Sequence, residues 1–214
     1  MKATLIYILM CTSLVMCSSA PVNREVIPLP EKDLSGLEKA YFASGCFWCV
    51  EAVYESVYGV EEAISGYAGG NQLNPTYEQV GGGRTDHAEA IEVYYDPEKV
   101  DFKTLVSVFY ASQDPTTVNG QHPDYGKQYR SIIFYQNDEE RQIAIEEKEL
   151  LNQSGVYDKP IATEIEPLTK FWKAEEYHQD FERRNPNQSY VKAVSVPRLN
   201  RFKEKMPQLL KANH

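Results

Sequence analysis

The fold of this chain is decided by residues 39–59, which run KAYFASGCFWCVEAVYESVYG. The first six residues form an apolar run of strand length, and Gly45 ends it. From Cys46 onward the apolar residues recur at three- and four-residue steps, which is the period of a helix, and Gly59 ends that pattern. The stretch therefore predicts a buried strand that passes directly into a helix, with a cysteine at the junction.

Strand and helix patterns mingle along the rest of the chain. Strand patterns cover residues 60–67, 87–95, 130–136 and 161–165, and helical patterns cover residues 102–111, 137–152, 175–183 and 197–205. Polar loops at 71–86 and 113–128 separate them, and the second loop is too long for a simple connection, so we expect it to carry function. This mixture predicts one α+β domain, a mixed β-sheet packed with helices as a two-layer, ferredoxin-like sandwich with long catalytic loops.

The composition limits the classes of partner. The chain has 214 residues and a formal net charge of -9. Nucleic-acid binding through the phosphate backbone needs clustered Lys and Arg, so we expect no nucleic-acid partner.

The first twenty residues differ in character from the rest of the chain. A positive start at Lys2, a largely apolar run over 3–16 and then small residues are typical of an export signal. The run is too short to span a membrane comfortably. Two cleavage positions fit this signal, one after Ala20 and one before Cys17, where a lipoprotein-type signal would attach lipid to that cysteine. We therefore expect a protein exported to the periplasm or cell envelope.

The domain organisation follows from this signal. Residues 1–20 are the export signal, 21–37 a tether, and 38–214 the catalytic domain, which ends in a polar helical tail to which we assign no chemistry. Any membrane attachment would come through lipid on Cys17, and we expect a monomer.

The signal also changes the cysteine count. Cys11 lies within it and Cys17 is removed or lipidated, so Cys46 and Cys49 remain as thiols of the folded domain. One pair of cysteines three residues apart is not a disulfide scaffold, so a reactive role for the two thiols is the better interpretation. At the start of a helix, free amide groups and the helix dipole would give Cys46 thiolate character, and the thiolate is the nucleophile.

Other interpretations of this pair stay open on the residues alone. The thiols could pack as small apolar side chains. They could form half of a zinc site, although His87, His122 and His178 show no paired spacing. They could also belong to a thioredoxin-like dithiol-disulfide oxidoreductase, although Phe47-Trp48 differs from the small or proline-containing pair usual between its cysteines.

An ordered set of motifs resembles the A-type peptide methionine sulfoxide reductases over roughly residues 39–187. The first motif is Gly45-Cys46-Phe47-Trp48. The others follow in the family's order: GYAGG at 66–70, NPTY at 74–77, HAEA at 87–90, YDP at 95–97, QDP at 113–115, Asp124 with Gly126, QYRS at 128–131, and TEI at 163–165. The family reduces the S epimer of methionine sulfoxide, free or in proteins, and so repairs oxidised methionine.

The resemblance implies a role for each matched residue. A sulfoxide sulfur is a poor electrophile until its oxygen is protonated or strongly hydrogen-bonded, so the nucleophile needs an acid and neutral donors nearby. The implied residues are the nucleophile Cys46, the acid Glu89, the oxygen-binding phenols Tyr77 and Tyr129, and Asp124, which orders substrate and water. Phe47 and Trp48 would form an apolar wall for the substrate methyl group. The resemblance calls for no cofactor and no metal.

The chain departs from the family near its C-terminus. Many members carry a resolving cysteine after an Asn-Pro and a Tyr, but here Asn185-Pro186 and Tyr190 are followed by Val191, and no cysteine follows Cys49. Across one helical turn the β-carbons of residues three apart lie roughly 5–6 Å from each other, close to disulfide distance. We therefore expect Cys49 to resolve the sulfenic acid of Cys46 and a thioredoxin-like protein to reduce the disulfide. Direct reduction of the sulfenic acid by an external thiol is the alternative.

Overall fold

The computed structural model describes residues 32–212. The predicted export signal, Cys17 and most of the predicted tether lie outside the described residues. The last part of that tether forms a turn before the first strand, and the Lys32 ammonium donates to the carbonyl oxygen of Glu61 at 2.9 Å. Within residues 32–212, no helix has the length and apolar character needed to cross a membrane.

Eight strands and six α-helices make up the described chain. The strands are β1 (Glu38–Ser44), β2 (Val60–Ala68), β3 (Ala88–Tyr95), β4 (Gly120–Gln121), β5 (Asp124–Tyr125), β6 (Ser131–Tyr135), β7 (Glu164–Pro167) and β8 (Trp172–Lys173). The helices are α1 (Phe47–Glu55), α2 (Tyr77–Gly81), α3 (Phe102–Ala111), α4 (Asp138–Gln153), α5 (Phe181–Arg184) and α6 (Val196–Lys205). Short 3₁₀ turns lie at Lys127–Tyr129, Glu176–His178 and Pro207–Leu209, and a π-helical turn at Val191–Ser195 leads into α6.

Six of the strands form one mixed sheet in the order β7-β6-β1-β3-β2-β8. The four central strands, β6-β1-β3-β2, are antiparallel to their neighbours, whereas β7 runs parallel to β6. Together with α1 and α3, these four strands have the order and connections of a ferredoxin-like sandwich. The predicted fold class is therefore confirmed.

The core explains why residues 39–59 decide this fold. Phe42 on β1 faces the helices, and its ring stacks on Tyr54 of α1 and Phe102 of α3 with centroids 5.0 and 6.0 Å apart. Its neighbours Tyr41 and Ala43 belong to a second apolar cluster, because successive side chains of a strand point to opposite faces. The strand is thus buried on both sides, and its C-terminal end is held firmly where the cysteines begin.

Several elements differ from the prediction. The polar loop at 71–86 contains α2, whose start is fixed where the Gln79 side chain accepts a hydrogen bond from the backbone N–H of Thr76 at 3.0 Å. The loop at 113–128 contains the hairpin β4-β5. The helix predicted over 175–183 is broken because Asp180 adopts a left-handed backbone conformation with φ of 53°.

Candidate active site

The site is centred on the sharp turn between β1 and α1. Gly45 has a φ of +86°, and a β-carbon there would lie 2.8 Å from the β-carbon of Gln121, so only glycine fits without strain. Cys46 is the N-cap residue of α1, and the N–H of Cys49 donates to the Cys46 carbonyl at 3.1 Å. Both thiols are free and buried, and Cys46 is 7% exposed.

Strand β3 brings the predicted acid to this turn. Glu89 is 2% exposed, and one carboxyl oxygen accepts a hydrogen bond from the N–H of Phe47 at 3.0 Å. Burial raises the pKa of Glu89 to about 8, against the opposing effect of the Phe47 amide, and the charges of Asp124 and Cys49 raise it further. Glu89 therefore holds its proton at neutral pH, as a general acid must.

The same contact bears on the predicted thiolate character of Cys46. The backbone N–H of Phe47, an amide at the start of α1, donates to Glu89, and the Cys46 side chain makes no capping hydrogen bond. Burial, followed by the neighbouring Cys49 thiol and the Glu89 carboxyl, raises the pKa of Cys46 well above its ordinary value. These surroundings favour the thiol in the free protein, and the thiolate character of Cys46 stays a prediction.

Two phenols complete the side of the turn that faces Glu89. The Tyr77 ring stacks on Phe47 with centroids 6.2 Å apart, and its backbone N–H donates to Glu175 at 2.9 Å. Burial, then the charges of Glu89 and Cys46, raises the pKa of Tyr77 to about 12. Burial, followed by the charge of Glu89, raises the pKa of Tyr129 as well. Both phenols therefore stay protonated and can donate hydrogen bonds to a sulfoxide oxygen.

Asp124 lies at the start of β5 and is held by a residue that sequence reasoning missed. The Tyr190 hydroxyl donates to the Asp124 carboxylate and also lies 3.8 Å from the sulfur of Cys49. The signal for Tyr190 was present, because it occupies the place of the tyrosine before the family's resolving cysteine. The structure thus links Asp124 to the second thiol.

The predicted apolar wall consists of two different surfaces. Phe47 is 1% exposed and packs against Tyr67 and His178 with ring centroids 5.9 and 5.0 Å away, so it lies beneath the site. Trp48 remains partly accessible and stacks on Phe181 at 3.7 Å, while its indole N–H donates to His178 at 3.1 Å. Contact with the substrate methyl group stays a prediction for both.

The histidines have structural contacts. The Nδ1 atom of His87 accepts from the backbone N–H of Gly70 at 3.2 Å, and burial lowers the pKa of His178 to about 4, so His178 is neutral. The one group of possible metal ligands within residues 32–212 consists of Glu51, Glu55 and Asp180, which includes neither cysteine.

The C-terminal segment, to which the sequence assigns no chemistry, reaches the site. The Arg198 side chain on α6 is buried and donates to the carbonyl oxygen of Ser44 at 2.9 Å, directly before the Gly45 turn. Tyr190 contacts Cys49 just before α6. The segment therefore forms one wall of the cysteine turn.

A buried thiol at a helix start, a protonated carboxyl beside it and phenolic donors around both define a thiol-dependent oxidoreductase. Residues 38–210 match the family model described as peptide methionine sulfoxide reductase. The chain belongs to this family. That membership decides against the thioredoxin-like dithiol-disulfide oxidoreductase.

Individual relatives agree with this assignment. The chain is 48% identical over 193 residues to peptide methionine sulfoxide reductase MsrA 1 of Rhodopirellula baltica, covering 90% of this chain and 98% of the relative. It is similar to the solved methionine sulfoxide reductase A of Corynebacterium diphtheriae, with 34% identity, a TM-score of 0.65, and coverage of 76% and 84% of the two chains. It is also similar to reduced Mxr1 from Saccharomyces cerevisiae, with 35% identity, a TM-score of 0.64, and coverage of 74% and 91%.

Proposed function

We propose that this enzyme reduces the S epimer of methionine sulfoxide, in proteins or as the free amino acid, with Cys46 as nucleophile and Glu89 as acid. One observation carries the assignment of roles. The Glu89 carboxyl is buried, keeps its proton at neutral pH, and accepts a hydrogen bond from the residue directly after Cys46.

Cys46 and Glu89 both carry protons in the resting site, which determines how protons must move. Glu89 gives its proton to the sulfoxide oxygen while Tyr77 and Tyr129 hydrogen-bond that oxygen. The Cys46 thiol then loses its proton to the Glu89 carboxylate and its sulfur attacks the sulfoxide sulfur. The oxygen passes to Cys46 as the methionine thioether leaves. The products are methionine and a Cys46 sulfenic acid, Glu89 regains a proton from the Cys46 thiol, and the net charge of the buried site does not change.

Cys49 resolves the sulfenic acid in this proposal. Its sulfur forms a disulfide with Cys46, the S–O bond breaks, and hydroxide leaves and takes up a proton to become water. The two thiols are neighbours across the first turn of α1, where the N–H of Cys49 donates to the Cys46 carbonyl at 3.1 Å, and no cysteine follows Cys49 in the sequence. A thioredoxin-like protein would then reduce the disulfide. Direct attack of an external thiol on the sulfenic acid is the competing route.

We further propose that the enzyme works outside the cytoplasm. The support is the N-terminal sequence, with its positive start, apolar run and small residues. Its monomeric state stays an expectation. Lipid on Cys17 would attach it to the cell envelope.

Reduction of a chiral methyl sulfoxide tests the roles of Cys46 and Glu89. Wild type should reduce only the S epimer, Cys46→Ser should be inactive, and Glu89→Gln should be strongly impaired. Glu92→Gln is the matched control, because Glu92 is also a buried carboxylate of β3 but accepts hydrogen bonds from Tyr41 and Lys39 away from the cysteines. Equal activity of the Glu89→Gln and Glu92→Gln variants would remove Glu89 from the mechanism.

A further inference from the structure

Arg198 is a buried cation without a carboxylate partner. It is 8% exposed, and its donors reach three neutral oxygens: the carbonyl of Ser112 at 2.7 Å, and the carbonyl and hydroxyl of Ser44 at 2.9 and 3.1 Å. Among residues 32–212, no carboxylate lies within salt-bridge distance of it. These hydrogen bonds satisfy the guanidinium donors but leave its charge without a counter-charge, so an anion that forms nearby would be stabilised by it.

The guanidinium lies directly behind the cysteine turn. A β-carbon on Gly45 would be 3.5 Å from its Nη1 atom, and Ser44 is the last residue of β1. The positive charge acts on Cys49. The pKa of that thiol is lowered to about 7, first by the neighbouring Cys46 thiol and then, against the effect of burial, by the charge of Arg198. The Tyr190 hydroxyl, which lies 3.8 Å from the sulfur, contributes in the same direction.

The other titratable groups that face Cys49 cannot supply a positive charge. Cys46 precedes it in the turn, Glu89 approaches from β3, and Tyr190 approaches from the C-terminal segment while donating to Asp124. Each of these groups is neutral or negative at every pH. Arg198 is the cation that opposes them.

We propose that Arg198 is a positioning residue for the recycling half of the reaction, in which its guanidinium stabilises Cys49 as the thiolate that attacks the sulfenic acid of Cys46. This inference rests on the proposed resolving role of Cys49. It also gives the C-terminal segment a function in a chain where that segment has no cysteine. Arg198 contacts neither the sulfoxide nor Glu89, so the reduction step should not depend on it.

Alkylation of Cys49 measures this effect without any turnover. In a Cys46→Ser background, the rate of reaction with iodoacetamide is followed against pH. Loss of the nearby charge in Arg198→Gln should raise the alkylation midpoint by about one pH unit and slow the reaction roughly tenfold near neutral pH. Arg198→Lys keeps the charge and should stay within about threefold of the parent rate.

Two further variants keep the test decisive. Arg201→Gln removes the same charge from an exposed position of the same helix, α6, and it should leave the rate unchanged. Arg198→Met replaces the glutamine variant if circular dichroism shows that the latter does not fold. Equal slowing in Arg198→Lys and Arg198→Gln, or no slowing in either, would overturn the proposal.

An experiment on the enzyme that retains Cys46 distinguishes two outcomes: this inference is wrong, or the proposed resolving role of Cys49 is wrong. After one turnover without reductant, the Cys46 sulfenic acid should last roughly tenfold longer in Arg198→Gln, in proportion to the lost thiolate, while the reduction step keeps its rate. An alkylation shift with an unchanged sulfenic acid lifetime would show that Cys49 is not the resolving thiol and would overturn the proposal at that point.

Discussion

The cysteine turn is flanked by two different sets of side chains. On the side of β3, burial raises the pKa of Glu89 to about 8 and that of Cys46 above its ordinary range, so both groups keep their protons. On the side of the C-terminal segment, the neighbouring Cys46 thiol and then the charge of Arg198 lower the pKa of Cys49 to about 7. The proposed mechanism assigns one step to each side: proton delivery to a sulfoxide, and attack by a thiolate on a sulfenic acid.

Removal of the shared sulfur should have the largest effect. Cys46→Ser is expected to lower sulfoxide reduction roughly 10⁴-fold or more, because a serine hydroxyl is a far weaker nucleophile than sulfur. The measurement is methyl sulfide formed in a single turnover, with Cys49→Ser as the matched control. Residual activity in Cys46→Ser similar to that of the control would place the nucleophile elsewhere.

Removal of the acid should affect only the reduction step, which takes place on the β3 side. Glu89→Gln is expected to slow single-turnover reduction about 10²- to 10³-fold, which is the usual contribution of a positioned acid. Rapid-quench detection of the Cys46 sulfenic acid measures this rate. The sulfenic acid, once formed, should be resolved at the wild-type rate. Slowing of both steps would mean that the two sides are not separable.

Removal of the second thiol should affect only the resolution of the sulfenic acid, on the side of the C-terminal segment. Cys49→Ser should leave the single-turnover rate within about twofold of wild type and lower steady-state turnover with a thioredoxin-like reductant at least tenfold, because the disulfide no longer forms. Unchanged steady-state turnover would favour direct reduction by an external thiol.

The fold was accessible from the sequence because its signals are local. The apolar run into Gly45 and the helical period after it predicted β1 and α1 nearly to their ends. β8 was not predicted, since a two-residue strand pairs with β2 only through tertiary contact. The site was predicted through the family motifs, because no local pattern says that the Glu89 carboxyl turns inward.

Two features of the site depend on contacts that the sequence does not encode locally. The pKa of Cys46 is raised first by burial and then by the neighbouring Cys49 and Glu89. Glu89 is held at the turn by the amide of Phe47, 42 positions away in the sequence. The buried Arg198 reaches Ser44 across 154 positions. A polar helical tail gives no sign of such contacts, because only the folded chain brings these residues together.

A smaller effect is expected from Tyr190, on the side of the C-terminal segment. Tyr190→Phe removes the hydroxyl that bridges Asp124 and Cys49 but keeps the ring that packs on Trp48. Resolution of the sulfenic acid should slow about three- to tenfold, which corresponds to the net contribution of one typical hydrogen bond. Decay of the sulfenic acid measures this, and an unchanged decay would assign Tyr190 to packing.

The smallest effect concerns stability. The folded pKa of Glu89, about 8, lies above its ordinary value of 4.5, so its stabilising contribution is present below that ordinary value and is lost as the pH rises through 8. Glu89→Gln lacks this loss and should be more stable than wild type by about 1–3 kcal/mol near pH 9. Urea unfolding at several pH values measures the difference, and a difference that does not grow with pH would contradict the burial of a neutral carboxyl.

The pH dependence of sulfenic acid formation is the clearest test that Glu89 and Cys46 carry protons in the resting enzyme. In a Cys49→Ser background, the single-turnover rate should be constant at lower pH and fall above about pH 8 as Glu89 loses its proton. Glu89→Gln should be slow and show no such fall. If the rate of the protein with Glu89 intact instead rises through this range, following ionisation of the Cys46 thiol, proton delivery by Glu89 would be contradicted.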